Sequence, residues 1–111
     1  MKLIQKKFIL LSLLSTTLSS FAWATSVPTN SVVGKIGFDW LQPKTAKCTT
    51  ITETLAAGFK TCRAADANSE ASFTGKKDFF TCKISEKSEY EIYPTKARCV
   101  EELETMKANG D

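Results

Sequence analysis

The residues in this chain whose types and spacing come nearest to chemistry are acids. Glu89 and Glu91 stand two apart, Glu101 and Glu102 are adjacent, and Asp39, Glu53, Asp66, Glu70 and Asp78 are scattered between. A pair of carboxylates flanking a substrate is what glycoside hydrolysis requires. Here the alternation of EYEIY sends Glu89, Glu91 and Tyr93 to the outer side of a strand, and helical spacing sends Glu101, Glu102 and Glu104 to solvated turns. Neither pair is expected to form a site.

The remaining parts of familiar catalytic sets are missing. The chain has no histidine, which removes a His-based dyad, the usual zinc site and a histidine-type pH switch near neutrality. It has no Asp-rich calcium loop, no glycine-rich phosphate loop and no CxxC redox pair. Lys76 to Phe80, KKDFF, mixes basic and aromatic residues as a small nucleic-acid or carbohydrate contact does, but it is a single cluster. The sequence therefore predicts no catalytic residues, no metal ligands and no cofactor.

The four cysteines, Cys48, Cys62, Cys82 and Cys99, have a structural reading. An even number in a small exported chain predicts two disulfides, and four cysteines allow three connectivities. Two local similarities bear on the choice. PKTAKCTTI around Cys48 resembles PTKARCVEE around Cys99, and GFKTCR around Cys62 resembles DFFTCK around Cys82. Pairing within halves joins Cys48 to Cys62 and Cys82 to Cys99, whereas pairing like with like joins Cys48 to Cys99 and Cys62 to Cys82. Loop-closure entropy favours the first arrangement.

Export is predicted from the first residues. Lys2, Lys6 and Lys7 precede the apolar run ILLSLLSTTLSSF, which ends at Ala22-Trp23-Ala24, the pattern of a secretory signal peptide cleaved after Ala24. The apolar run is shorter than the roughly 20 residues of a membrane span. Of 15 basic and 12 acidic residues, those three lysines fall in the leader, so the mature chain carries 12 of each and no net formal charge. Overall charge then offers nucleic acid or anionic lipid no footprint. The expected destination is the periplasm or the medium, without stable membrane insertion after cleavage.

The elements that must position these residues follow from periodicity. Residues 25–32 are polar, contain Pro28 and are expected to form a flexible N-terminal segment before a single small globular domain at 33–111. Ile36, Phe38 and Trp40 alternate with Lys35, Gly37 and Asp39 as in a half-buried strand, which makes Trp40 a core residue before it is an interface anchor. Pro43 opens a helix through Ala46, Cys48, Ile51 and Leu55 that stops at Gly58, despite threonines at 45, 49, 50, 52 and 54. Phe59 to Arg63 is a short strand, and Ala64 to Gly75 a long loop suited to recognition. Lys76 to Ser85 and Glu89 to Tyr93 form a hairpin whose apolar side holds Phe80, Cys82, Ile84, Tyr90 and Ile92, with Lys83 and Glu91 facing each other outside. Thr95 caps a final helix with Cys99, Val100, Leu103 and Met106 on one side and Asn109-Gly110 as its stop.

The expected fold is thus α+β: a small disulfide-stapled domain with a short antiparallel sheet packed by two helices, in the order β-α-β-β-β-α. The expected function is an exported, non-catalytic protein-binding module, of the kind that inhibits or confers immunity against another protein. The alternatives are a structural or accessory component of the cell envelope or of a secreted complex, and third a small secreted hydrolase. The last would require a concave pocket with converging acids of shifted acidity.

Overall fold

A computed structural model describes residues 25–110. The predicted leader, residues 1–24, lies outside the described residues. The elements in chain order are β1 (Thr25–Val27), a 3-10 helix (Thr29–Val32), β2 (Ile36–Asp39), β3 (Thr49–Thr50), α1 (Glu53–Ala57), β4 (Thr61–Ala64), β5 (Phe80–Ser85), β6 (Ser88–Tyr93) and α2 (Lys96–Gly110). Six strands form one sheet in the order β1-β4-β5-β6-β2-β3, with every pairing antiparallel. The protein is a small α+β domain with two disulfides and an antiparallel sheet flanked by two helices. Among the described residues no helix is long and apolar enough to cross a membrane.

Both faces of this sheet are covered, which the alternation of β6 alone does not reveal. On one face Val32, Ile51, Ala56, Phe59, Cys62, Cys82 and Ile92 form a core beneath α1 and the 3-10 helix, with Phe80, Ile84 and Tyr90 packed against it. The hairpin's expected apolar side is this face. On the other face Phe38, Ala46, Phe79, Tyr93, Cys99 and Met106 form a second core beneath α2. Tyr93, expected to point away from the core, is fully buried there between the rings of Phe38 and Phe79, with centroids 6.0 and 6.1 Å away. The side of β6 that reads as outer is therefore an inner one.

Four further expectations are corrected. Residues 25–32 hold an edge strand and a helical turn with Val32 fully buried, because β1 completes the ladder of β4 (Ser26 opposite Arg63, Val27 opposite Cys62). The helix expected from Pro43 begins only at Glu53, where Thr52 caps it by accepting the Leu55 amide at 3.1 Å. The threonines before it have low helix propensity, and Thr49–Thr50 pairs with β2 instead. Lys83 stands opposite Glu89 rather than Glu91, and its amine pairs with Glu86 at 3.2 Å. Glu102, expected in solvent, is fully buried.

The disulfides join Cys48 to Cys99 and Cys62 to Cys82, which overturns the pairing within halves. Cys62 and Cys82 are directly opposite in the β4–β5 ladder, with Cα atoms 4.1 Å apart, so the register itself brings the sulfurs together. Cys48, leading into β3, is four strand positions from β4, on the order of 19 Å. Cys82 and Cys99 lie in cores on opposite faces. The entropic preference for closing the shorter loop from Cys48 amounts to only about 1 kcal/mol, too little to outweigh such separations. Like cysteines pair, and the Cys62 and Cys82 segments are both strands, but the Cys48 segment is a turn leading into a strand whereas the Cys99 segment is a helix.

Geometry requires glycine at several positions, two of which bear on the sheet and on the long loop. A Cβ on Gly37 would lie 2.5 Å from the backbone oxygen of Glu91, so only glycine lets β2 approach β6 this closely. Gly75 turns at φ 89° in the loop that leads into β5.

Candidate functional site

Directly paired residues of an antiparallel sheet share a face. The register therefore sets Arg63, Thr81, Glu91 and Phe38 in one row across β4, β5, β6 and β2, on the face that carries α2. At the α2 end of that face the helix and the aromatic core cover the sheet. Beyond them a cleft of about 440 Å³ stays open, floored by Thr81, Glu91 and the buried ring of Phe79 and flanked by Trp40, Arg63 and Glu89. Its roof is residues 68–71 of the loop between β4 and β5, including Glu70. Three carboxylates of an otherwise featureless acidic inventory thus converge on one concavity.

Trp40 is placed by the strand that precedes it. Its amide donates to the Glu89 carbonyl at 3.1 Å, one step beyond the β2–β6 ladder, and its indole N–H donates to Glu89 Oε1 at 3.0 Å. Asp39 secures the corner: its carboxylate accepts from the Leu41 amide at 3.1 Å, the Glu89 amide at 3.2 Å and the Ser88 hydroxyl at 2.6 Å. Trp40 is accordingly half-buried, touching the second core and lining the cleft, so the core reading and the surface reading each describe part of it.

The loop is folded back on the sheet. Phe73 stacks on Phe38 with ring centroids 6.4 Å apart. Ser72 Oγ donates to Glu102 Oε2 at 3.0 Å, the Thr74 amide donates to Oε1 at 3.1 Å, and the Thr74 hydroxyl also bonds Oε2. Arg98 reaches the same carboxylate at 2.7 Å and forks onto Asp78 with two contacts of 2.6 Å. Asp66 organises the turn near the cleft, accepting the Asn68 amide at 2.8 Å, and Lys77 bonds the carbonyls of Ala67 and Ser69. The wall over the cleft is thereby held from both ends.

The buried Glu102 and the half-buried Glu91 have opposite acidities. Burial is the main cause that pushes the Glu91 carboxyl up, from 4.5 to about 7; the Tyr93 hydroxyl, donating at 2.7 Å, opposes it, and the charges of Glu102, Glu89 and Glu70 add to it. Burial pushes Glu102 up as well, but hydrogen bonds from Thr74, Arg98 and Ser72 reverse the sign and hold it below its ordinary value. Burial raises the Tyr93 phenol, and the adjacent Glu91 charge raises it further, so it remains a donor. A group that titrates near neutrality is present without any histidine.

Of the residues singled out in the sequence, Glu89, Glu91, Glu70 and Trp40 come together. Glu101, Asp78 and Lys76 instead serve the Arg98 network, where Lys76 meets Glu101 at 3.4 Å. Phe79 of KKDFF lies under the cleft, but Lys76 and Lys77 do not line it. The four cysteines are all bridged and take no part. Among the described residues no acids or cysteines cluster closely enough to hold a metal ion. Arg63 carried no signal, because the alternation of Phe59 and Thr61 with Lys60 and Cys62 does not say which side of that strand is buried. Glu102 had a signal that helical spacing carries: it follows Cys99 by three and Arg98 by four. Comparison with known proteins gives no match to this chain among family models, curated proteins or solved structures.

Proposed function

We propose that the chain is an exported, non-catalytic module that binds another protein, of inhibitor or immunity type, and that the cleft with its loop roof is the contact surface. The observation that carries this reading is the preorganisation of that surface. A half-buried tryptophan and three acids stand in a concavity whose walls are strands and a loop already tied down by Glu102, so little ordering remains to oppose binding. The leader motif supports export, and the two disulfides suit an oxidising compartment. Assembly by strand addition has less to build on, since the edge strands β1 and β3 span only three and two residues. The test is affinity capture from envelope and secreted fractions with the oxidised protein as bait. We expect one protein to be retained at micromolar concentration and released when Trp40→Ala replaces the native bait. Retention of nothing, or equal retention by both baits, refutes the reading.

One observation favours a small hydrolase as the second reading. Glu91, pushed up to about 7, shares the cleft with a second carboxyl, Glu89, and sugar hydrolysis uses two carboxyls. Against it, both carboxyls are already engaged, by Tyr93 and Trp40. Turnover of an oligosaccharide panel that disappears in Glu91→Gln would reverse the order of the two.

A further inference from the structure

We propose that the cleft receives a basic side chain, lysine or arginine, presented by the partner; this rests on the protein-binding reading above. Charge bookkeeping across the α2 face carries the inference. The acids matched within the fold lie outside the cleft: Arg98 serves Asp78, Glu101 and Glu102, Lys76 adds to Glu101, and Lys83, opposite Glu89 in the ladder, pairs with Glu86 instead. Among the described residues the acids of the cleft, Glu70, Glu89 and Glu91, are in no such pair. Arg63 lines the opposite wall without an ion pair and leaves the cleft with a net excess of acid.

The shape selects among cations. Among the described residues the acids are not gathered closely enough for a metal ion, while the concavity has an aromatic flank, Trp40, and an aromatic floor, Phe79. Carboxylates beside aromatic rings complement a cation carried on an apolar stem, which lysine and arginine supply and a hydrated metal does not. Fixing the indole through its N–H on Glu89 leaves the ring in place before the ligand arrives.

Proton linkage follows from the surroundings of Glu91. It is faced by Glu89 and Tyr93 from β6, Arg63 from β4, Glu70 from the loop, and Glu102 with its partner Arg98 from α2. An arriving cation favours the ionised carboxylate, so binding releases a proton and strengthens as pH rises through about 7.

The experiment titrates oxidised protein of residues 25–111, whose single tryptophan is Trp40, with acetyl-Gly-Arg-Gly-amide, its lysine counterpart and a glutamine control, at pH 5.5 and pH 8. Trp40 emission and amide chemical shifts report binding. We expect saturation in the millimolar range by both basic peptides and not by the control, with affinity about tenfold higher at pH 8. In Glu91→Gln the pH dependence should vanish, and in Glu70→Gln, an exposed position that leaves the core untouched, affinity should fall severalfold. Equal binding of the glutamine peptide, preference for a neutral oligosaccharide, or shifts that avoid the cleft overturn the inference. A protein partner captured but not displaced by basic peptide also overturns it and leaves the protein-binding reading intact. Basic peptides bound in the cleft with no protein captured support the inference and sink that reading.

Discussion

Glu102, fully buried on α2, and Glu91, half-buried on β6 where it lines the cleft, share one side of the sheet, yet the fold treats them in opposite ways. Glu102 is surrounded by donors from two segments: Arg98 one helical turn before it, and Ser72 and Thr74 from the loop that crosses above. Glu91 has a single donor, the Tyr93 hydroxyl, and three like charges around it. A buried carboxylate with a full set of donors stabilises the ionised fold and ties segments together; one without them favours its neutral form and makes ionisation costly. The first ties the scaffold together, and the second leaves a carboxyl short of donors at an open surface.

The strongest way to break this contrast is to remove the donor of the first region. Arg98→Ala leaves Glu102 buried without its cation, and should lower the stability of the oxidised protein at pH 7 by about 3–5 kcal/mol in urea unfolding. A loss below about 1 kcal/mol would mean that Ser72 and Thr74 carry the carboxylate alone.

Next in size is a change of opposite sign in the second region. Since the folded value of Glu91 lies above its ordinary 4.5, the folded state holds an extra proton between pH 4.5 and about 7. Its contribution is most favourable below that window and is lost as pH rises through it. Glu91→Gln should therefore leave stability unchanged at pH 4.5 and raise it by about 2–3 kcal/mol at pH 8. Glu102 slopes the other way, contributing above its ordinary value and losing that contribution as pH falls through its lower folded one. Unfolding curves of both proteins at a series of pH values would show it, and a Glu91→Gln curve parallel to the parent across pH 4.5–8 would contradict the contrast. Smallest is Trp40→Phe, which removes the indole N–H on Glu89 together with part of the ring packed on the second core, and should cost about 1–2 kcal/mol with little change in the pH profile.

The helix at Lys96–Gly110, the hairpin and the β2 alternation were legible because each depends on local periodicity and on caps such as Thr95, whose hydroxyl accepts the Arg98 amide at 3.2 Å. The stretch from Pro43 to Thr52 was not, since its threonines and proline balance helix against strand until β2 offers an edge. The cleft was hidden for a related reason. A period of two says that Glu89, Glu91 and Tyr93 share a side, but it does not say whether a helix covers that side.

By itself the sequence determined the class of this protein: a small α+β domain with an even cysteine set and no histidine. Those properties live in composition and in contacts a few residues apart. Only the tertiary structure decided which cysteines meet, that both sheet faces are buried, and that Glu91 and Glu102 take opposite charge habits. Strand order, facing and desolvation arise from pairings such as Glu91 with Phe38 and Thr81, which join residues distant along the chain.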